Sequence, residues 1–542
     1  MAAIVSSNFR VLNANNFKED VTDNSVYVAI GKSDVWSNST SVTVDGTPAT
    51  PNDHLDDIGE LRYQMTGMKK VTASDLSNVV PRYTWTSGSS YHAWKSNDAS
   101  IFDKAFYIVT SEFKVYKCIK AGGGTSSIQP TQTLTDPQAE SDGYTWKYMY
   151  TIGVSDATKF LTNAYMPVKS ISLSTEAVIA ATTSSSTTVT IKASNLNILV
   201  GMTVSGTGVS GTVTVSARNG NVLTLSSAQT LTAGNRLTFV FANDAGAEAN
   251  LTEADFAQYL NQKASRDSST AAGIEQITVT AAGTGYTNGT HTFAAGSSGA
   301  RFVTITGDGT GATATATVAG NNVTGITITN KGTNYTVADI VIAGQGGSDA
   351  TAEATLAPKA GHGVDPVSEL GGFFTSLNVL LDGADGSGDI TVGNDFRQIA
   401  LLKQPKVYNA TPLAGAIATA DTLKATKALD FVGASSGVGT NFVVDELLVQ
   451  ATTGAQGYVV EVDTTNGYVH YIQNDKTGYT TFGNDLAVVG QTTGGSGLVT
   501  ESTAVINPEV DRASGEILFY ENRAAISRTT TQIEDIKLIL EF

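Results

Sequence analysis

The sequence predicts a mainly β protein, with a discontinuous β-sandwich-type base domain carrying short helices and interrupted by three small all-β insertion modules. Three observations lead there. Apolar residues alternate with a period of two near both ends of the 542-residue chain. All 11 prolines fall in three blocks, Pro48 to Pro167, Pro358 to Pro412, and Pro508; of the 4 tryptophans, Trp85, Trp94 and Trp146 lie in the first and Trp36 just ahead of it. The stretches between those blocks are rich in Thr, Gly, Val and Ala. Residues 171–360 hold only 8 Lys or Arg and 11 Asp or Glu, so they read as modules of another composition.

The expected segments are 1–170 as the first part of the base, 171–246 as an all-β insertion and 247–272 as a helical connector. Then come 273–357 as an all-β insertion with an internal repeat, 358–430 as the second part of the base, 431–504 as the last insertion and 505–542 as closing strands. In "DGYTWKYMYTI", Tyr144, Trp146, Tyr148, Tyr150 and Ile152 alternate with Thr145, Lys147, Met149 and Thr151. "VYVAI" repeats the pattern with Val26, Val28 and Ile30, and the C-terminus does so with Ile536, Leu538, Leu540 and Phe542. An aromatic sheet face needs a second layer to cover it. The first and last blocks are therefore expected to pack together.

Helices are expected at Leu55–Met65 and at Ser74–Val79, the latter stopping before Pro81. "NLTEADFAQYLNQKA" is the strongest helical pattern, with Thr252 and Asp255 in capping-box positions and Phe256, Tyr259, Leu260 and Lys263 at helical spacing. "RNGN" (218–221) carries an Asn-Gly pair, a short-range hairpin signal. Internal echoes mark the modules. "ITVTAAGTGYT" (277–287) returns as "ITITNKGTNYT" (326–336), "GTGATATATV" (309–318) as "GSDATAEATL" (347–356), and "TTGAQGYV" (452–459) as "TTGGSGLV" (492–499).

Charge and composition exclude several functions. Thirty-three Lys and Arg against 50 Asp and Glu give −17, which argues against a general binder of nucleic acid or anionic membranes. No signal peptide is expected, and no stretch approaches the ~20 apolar residues that span a membrane. Cys118 is the single cysteine; in "EFKVYKCIK" it reads as a buried apolar residue rather than a nucleophile.

No catalytic, cofactor-binding or metal-binding residues are expected. The five histidines are scattered, and no Walker lysine is present. His362 in "GHGVDP", with Asp365 and Glu369 nearby, offers a pH-sensitive or metal site, set against a plain turn. "GDGTGA" (307–312) reads as a β-turn, because a strand pattern and not a helix follows it. "LDGADGSGDI" (381–390) lacks EF-hand spacing for Asp382, Asp385 and Asp389 and reads as a Gly-Asp loop, with a weak cation site as the alternative. A glycosidase would need two carboxyls about 5–10 Å apart in an aromatic cleft, and the modules have few aromatics. Tyr286 and Tyr335, after the repeated Gly turns, are candidates for glycan stacking or for capping those turns.

The base resembles the gene-eight family of baseplate wedge subunits of T-even-type contractile-tailed phages. The resemblance rests on runs in matching order: "IVSSNFR" (4–10), "VYVAIGKSDVWSN" (26–38), "VVPRYTW" (79–85), "DGYTWKYMYTI" (142–152), "FRQIALLKQP" (396–405), "SGEILFYENR" (514–523) and "IEDIKLILEF" (533–542). The Pro-free modules lengthen the chain beyond the usual family size and look like insertions in T-even-like phages of cyanobacteria. The resemblance implies a mostly β, two-part virion protein of the tail baseplate, assembled in the host cytoplasm. It further implies a homodimer that links neighbouring wedge proteins and takes part in the baseplate rearrangement on host attachment. No catalytic residue, cofactor, nucleic acid or membrane insertion is implied. Trp85, Tyr91 and Trp94 of "VPRYTWTSGSSYHAW" are candidate partner contacts, against core packing. The alternative function is a tail-fibre or receptor-binding protein with glycan-binding β-modules.

Overall fold

The computed structural model describes residues 4–36, 46–269, 272–293, 298–299, 301–382, 395–431, 437–474, 476–500, 503, 505–526 and 533–542. Strand outweighs helix by 42% to 14%, in several separate antiparallel sheets, so the mainly β expectation holds. The chain divides into two compact units, each discontinuous: residues 1–16, 77–376 and 540–542 form one, and residues 17–76 and 377–539 the other.

In the first unit, a four-stranded sheet runs in the order Tyr107–Val109, Lys114–Lys120, Thr145–Thr151, Gln138–Ala139. Tyr91, Ile108, Tyr116, Cys118, Tyr144, Trp146 and Tyr148 pack on one of its faces. The Tyr144 and Trp146 rings stack at 5.6 Å, and Tyr91 meets Trp146 edge-on at 5.6 Å. Cys118 is buried with this group and its thiol lies 3.4 Å from the Lys120 carbonyl; burial pushes its pKa up, so the inert reading fits. The period of two marked only this aromatic face as one that needs cover. The opposite face is also covered, and Lys117 and Lys147 are among the most buried side chains of the unit.

Residues 171–246 contribute a six-stranded sheet whose core includes Val189, Ile191, Val213, Val215, Leu223, Leu225 and Phe239. The Asn-Gly signal marks a tight hairpin, with Asn219 opposite Val222 and Gly220 at φ 55°. The helix Glu253–Ser268 caps its N-terminus with the Thr252 hydroxyl, which accepts from Asp255 N at 3.2 Å. Asp255 turns its carboxylate to Lys169 rather than back to the cap. Phe256 and Tyr259 join the core of the six-stranded sheet, so the helix packs as part of that body.

Residues 273–357 form a four-stranded and a three-stranded sheet around one core. The two sequence repeats are intertwined. Ile274–Thr284 of the first repeat pairs with Ser348–Leu356 of the second, and Thr313–Ala319 of the first pairs with Asn322–Asn330 of the second. At the end of this unit, Phe542 N donates to Phe373 O at 3.2 Å. The Arg10 guanidinium lies 3.5 Å from the Phe373 ring centroid and donates to Phe542 O.

The second unit is built on a five-stranded sheet, Thr422–Lys424, Met65–Lys70, Val26–Gly31, Phe396–Lys403, Glu516–Ile526. Residues from near the N-terminus and near the C-terminus thus share one sheet. Val26–Gly31 is its central strand, flanked on both edges, and all six of its residues are buried. The expected alternation of buried and open positions gives way to burial on both faces. A seven-stranded sheet includes the last echo as two hairpins, Leu447–Gln450 with Ala455–Asp463 and Ala487–Gly490 with Ser496–Leu498, joined where Leu448 faces Gly490.

Two helix readings need correction. Ser74–Val79 is not a helix: only Ala73–Asp75 forms a single 3-10 turn, closed by a Thr72–Asp75 capping box. Leu76–Pro81 is a strand, because Leu76, Val79 and Val80 are buried there and the strand pairs with Tyr165–Val168. Conversely, Ser7–Asp23 is a 17-residue helix that the sequence reading missed. Its buried residues, Val11, Ala14 and Val21, follow helical spacing, but the intervening "NANN" weakens the intrinsic signal. Leu55–Gln64 is helical as expected, and Met65 already opens a strand. Of the Gly-Asp loop at 381–390, residues 383–390, with Asp385 and Asp389, and the side chain of Asp382 lie outside the described residues.

Candidate functional site

Neighbouring strands Lys114–Lys120 and Thr145–Thr151 place Lys117 directly opposite Lys147. Relative exposures are 0% and 2%, so two like charges face each other out of water. Such a pair is unstable unless both ammonium groups find partners. Lys117 Nζ lies 2.8 Å from Glu369 Oε2. Lys147 Nζ donates to Ser265 Oγ at 3.0 Å and to the Thr135 carbonyl. Burial is the main reason both lysines are shifted down. Lys147 is held at about 8, with Glu369 and Asp136 opposing the shift and Lys117 adding to it.

Glu369 sits in the short helix Pro366–Leu370, which Asp365 caps by accepting from Ser368 N at 3.3 Å. Its second oxygen accepts from Gly363 N at 2.7 Å, so one carboxylate serves a lysine and a backbone turn together. His362 lies in that turn. Its Nδ1 is 3.9 Å from Glu369 Oε2 and its Nε2 is 3.8 Å from Glu275 Oε2, both beyond hydrogen-bond reach. Both ring nitrogens are buried without a hydrogen bond. Burial, then Lys117, Lys331 and Lys147, hold its pKa well below the usual histidine value. Trp94 meets the His362 ring edge-on at 4.9 Å, and Lys117 Nζ lies 4.3 Å from the Trp94 ring centroid.

Glycine is required on either side of His362. Gly361 has φ 99°, and a Cβ there would come within 2.5 Å of Ser269 Cβ; Gly363 has φ 88°, and a Cβ would come within 3.0 Å of Lys147 Cε. A cavity of about 90 Å³ lies beside the cluster, bounded by Lys147, Ser265, Glu275, Lys331 and His362 among others. It has room for a few waters. Glu275 is paired with Lys331 at 3.2 Å.

The cluster brings together four stretches of one unit: the aromatic sheet, the helix Glu253–Ser268, the strand that opens the repeat module at Glu275, and the turn at 361–369. Chemically it is a set of buried charges in mutual compensation. Of the sequence-stated residues His362, Asp365 and Glu369, the first and last meet here, while Asp365 is used as a helix cap. Among the described residues, no group of three or more His, Cys, Asp or Glu is arranged to hold a metal ion. Lys117, Lys147, Ser265 and Glu275 were not foreseen. The available signal was a lysine between aromatic or apolar neighbours in both "VYKCI" and "WKYMY".

The candidate contact aromatics lie around this sheet. Tyr91 is buried, and its hydroxyl accepts from Thr86 N at 2.7 Å. Trp85 is half-buried with Nε1 donating to Ser126 Oγ at 3.1 Å, and Trp94 is half-buried against Lys117 and His362. Tyr286 and Tyr335 are 2% and 4% exposed. Each ring lies against a glycine of the other repeat, Tyr286 on Gly347 and Tyr335 on Gly309. Neither offers an open face.

Residues 3–131 match the family model described as bacteriophage T4 Gp8. The chain is also 26% identical over 202 residues to "Baseplate wedge protein gp8" of Enterobacteria phage T4, which covers 31% of this chain and 60% of that protein. The chain thus spans about three fifths of the length of the curated relative it matches. The family-model match contains three of the runs that carried the resemblance, 4–10, 26–38 and 79–85. By these comparisons the chain is similar to a phage baseplate wedge protein, most directly through its N-terminal quarter.

Proposed function

We propose that this protein is a structural component of a contractile-tail baseplate wedge and works without catalysis. The observation that carries this reading is the match to Gp8 over residues 3–131. The charge cluster is consistent with it. Its lysines are held by Glu369, Ser265 and Thr135, and its cavity is too small for a sugar or peptide substrate. In this reading the protein is a homodimer in the virion baseplate, links neighbouring wedge proteins and takes part in the rearrangement on host attachment. The insertions at 171–246, 273–357 and 431–504 are additions to that scaffold. The open parts of Trp85 and Trp94 are its candidate contact points, whereas Tyr91 is committed to the core.

A glycan-binding tail protein is the competing reading. It rested on Tyr286 and Tyr335, whose rings are inside the module core. Among the described residues, no helix is long and apolar enough to cross a membrane. Electron cryo-microscopy of intact particles, with a gold-labelled antibody to this chain, tests the proposal. Density in a six-fold ring at the tail end is expected. Label on fibre tips, or none on the virion, overturns it. Sedimentation of the purified chain tests the dimer separately.

A further inference from the structure

In the unit of residues 17–76 and 377–539, a cavity of about 360 Å³ opens beside the helix Leu55–Gln64. Its walls include Arg62, Tyr63, Tyr408, Lys427, Asp511 and Arg512. Three cations and one carboxylate therefore face one space, in a chain whose net charge is −17.

The partners of these groups decide what the cavity can accept. Arg62 donates to the carbonyls of Arg512 at 3.0 Å and Gly515 at 2.7 Å. Arg512 donates to the Tyr63 carbonyl at 2.9 Å, with its guanidinium 5.0 Å from the Tyr63 ring centroid. The backbone of Lys427 is paired with Tyr471 in the sheet, while its ammonium makes no hydrogen bond or ion pair among the described residues. The one carboxylate is already occupied: Asp511 accepts from Leu413 N at 2.9 Å and from Ala513 N at 3.1 Å. No carboxylate is bonded to any of the three cations. Burial, and then Arg512, hold the Lys427 ammonium below its usual pKa, as expected of a cation that lacks a counter-charge.

Partly buried cations without anions are costly, and the cost falls when an oxyanion is supplied. The cavity is larger than a bare phosphate needs and lies in the range of small-molecule sites, about 300–1,000 Å³. We propose that this cavity binds a small molecule bearing a phosphate or carboxylate group, with Lys427 and Arg512 as its counter-charges and Tyr63 and Tyr408 walling its body. The chain's negative field works against diffuse anion binding. Saturable binding of an anion therefore reports a built site.

The test is calorimetric titration of the full chain with inorganic phosphate and, separately, with citrate, at constant ionic strength set by sodium chloride. Saturable binding of one or both is expected, and the tighter probe shows whether phosphate or carboxylate is preferred. Lys427→Met is expected to weaken that binding roughly tenfold or more, as for loss of a charge-assisted hydrogen bond. Lys424→Met, whose ammonium is already paired with Glu461 at 3.1 Å, leaves it unchanged. Should Lys427→Met fail to fold, Lys427→Gln carries the same comparison. Absence of saturable binding by both probes, or binding that survives loss of the Lys427 charge, overturns the proposal.

Discussion

Lys117 and Lys147 lie directly opposite each other on adjacent antiparallel strands, and both are buried. An alternating strand pattern places such residues on an open face. Here that face is covered, and the charges are matched from distant parts of the chain: Glu369 is 252 residues from Lys117, and Ser265 is 118 residues from Lys147. The arrangement makes the sheet, the helix Glu253–Ser268 and the turn at 361–369 depend on one another.

Glu369 is the member whose loss is expected to cost most. Removing its charge leaves Lys117 buried without its bonded counter-ion, and one amide oxygen must then serve where two carboxylate oxygens accepted from Lys117 and from the Gly363 amide. Glu369→Gln should destabilise the protein by about 3–5 kcal/mol, the range for breaking a buried pair from one side. The double substitution Lys117→Met with Glu369→Leu should cost less, because the Lys117 ammonium that needs the counter-charge is removed with it, and the repulsion it exerts on Lys147 goes too. Denaturant midpoints of the three proteins check both statements.

Stability should depend on pH in two separate windows. The Lys147 pKa is lowered from 10.5 to about 8 in the folded protein. Between those values the unfolded chain holds a proton that the folded chain has released, so stability rises as pH rises from about 8 to 10.5. Below pH 8 the lysine is charged in both states and its penalty, on the order of 3 kcal/mol, is fully present. His362 is also shifted down, so its contribution is present above about 6.5 and is lost as pH falls through its folded value. Lys147→Met should reduce the alkaline rise, leaving the part that the lowered Lys117 contributes, and His362→Phe should reduce the acid fall. Thermal unfolding measured from pH 5 to pH 10.5 separates them.

The parts legible in the sequence were those fixed by neighbours along the chain. Asn219-Gly220 announced its hairpin, and Thr252 its helix cap. The two echoes in 273–357 announced a repeated module, though not that the repeats exchange partners. The burial of Lys147 was illegible, because period two describes a strand with one covered face and this strand has two. Ser74–Val79 misled for a related reason: its apolar spacing fits a helix turn, and the strand at Tyr165–Val168 that claims it lies far away in sequence. Of the cluster, only the proximity of His362 and Glu369 was visible, since they lie close together in the sequence.

Gly363 is expected to tolerate no side chain. Its φ of 88° disfavours an L residue, and a Cβ would lie 3.0 Å from Lys147 Cε, in a place where the lysine stem is held by the bonds of its ammonium. Gly363→Ala should cost about 1–3 kcal/mol through backbone strain. It should also weaken the Gly363 N–Glu369 bond and so lower the tolerance of the Lys117–Glu369 pair to acid. A thermal-shift series against pH should show a lower melting temperature throughout, with a steeper acid limb than the parent protein.

The repeat module provides an internally controlled experiment, because its two halves make the same contact twice. The Tyr286 hydroxyl accepts from Ala350 N at 3.2 Å, and the Tyr335 hydroxyl accepts from Ala312 N at 3.4 Å. A Cβ on Gly347 would come within 2.3 Å of the Tyr286 ring, and one on Gly309 within 2.4 Å of the Tyr335 ring. Both rings are enclosed and cannot withdraw, so Gly347→Ala and Gly309→Ala should each destabilise the module by about 1–3 kcal/mol, the cost of overpacking. Tyr286→Phe and Tyr335→Phe should each cost about 1 kcal/mol, from one lost hydrogen bond. Limited proteolysis within 273–357 reads all four. Because each tyrosine bridges from one repeat to the other, either alanine substitution should expose cleavage sites in both repeats. Cleavage confined to the substituted repeat would show that the two halves hold themselves together independently.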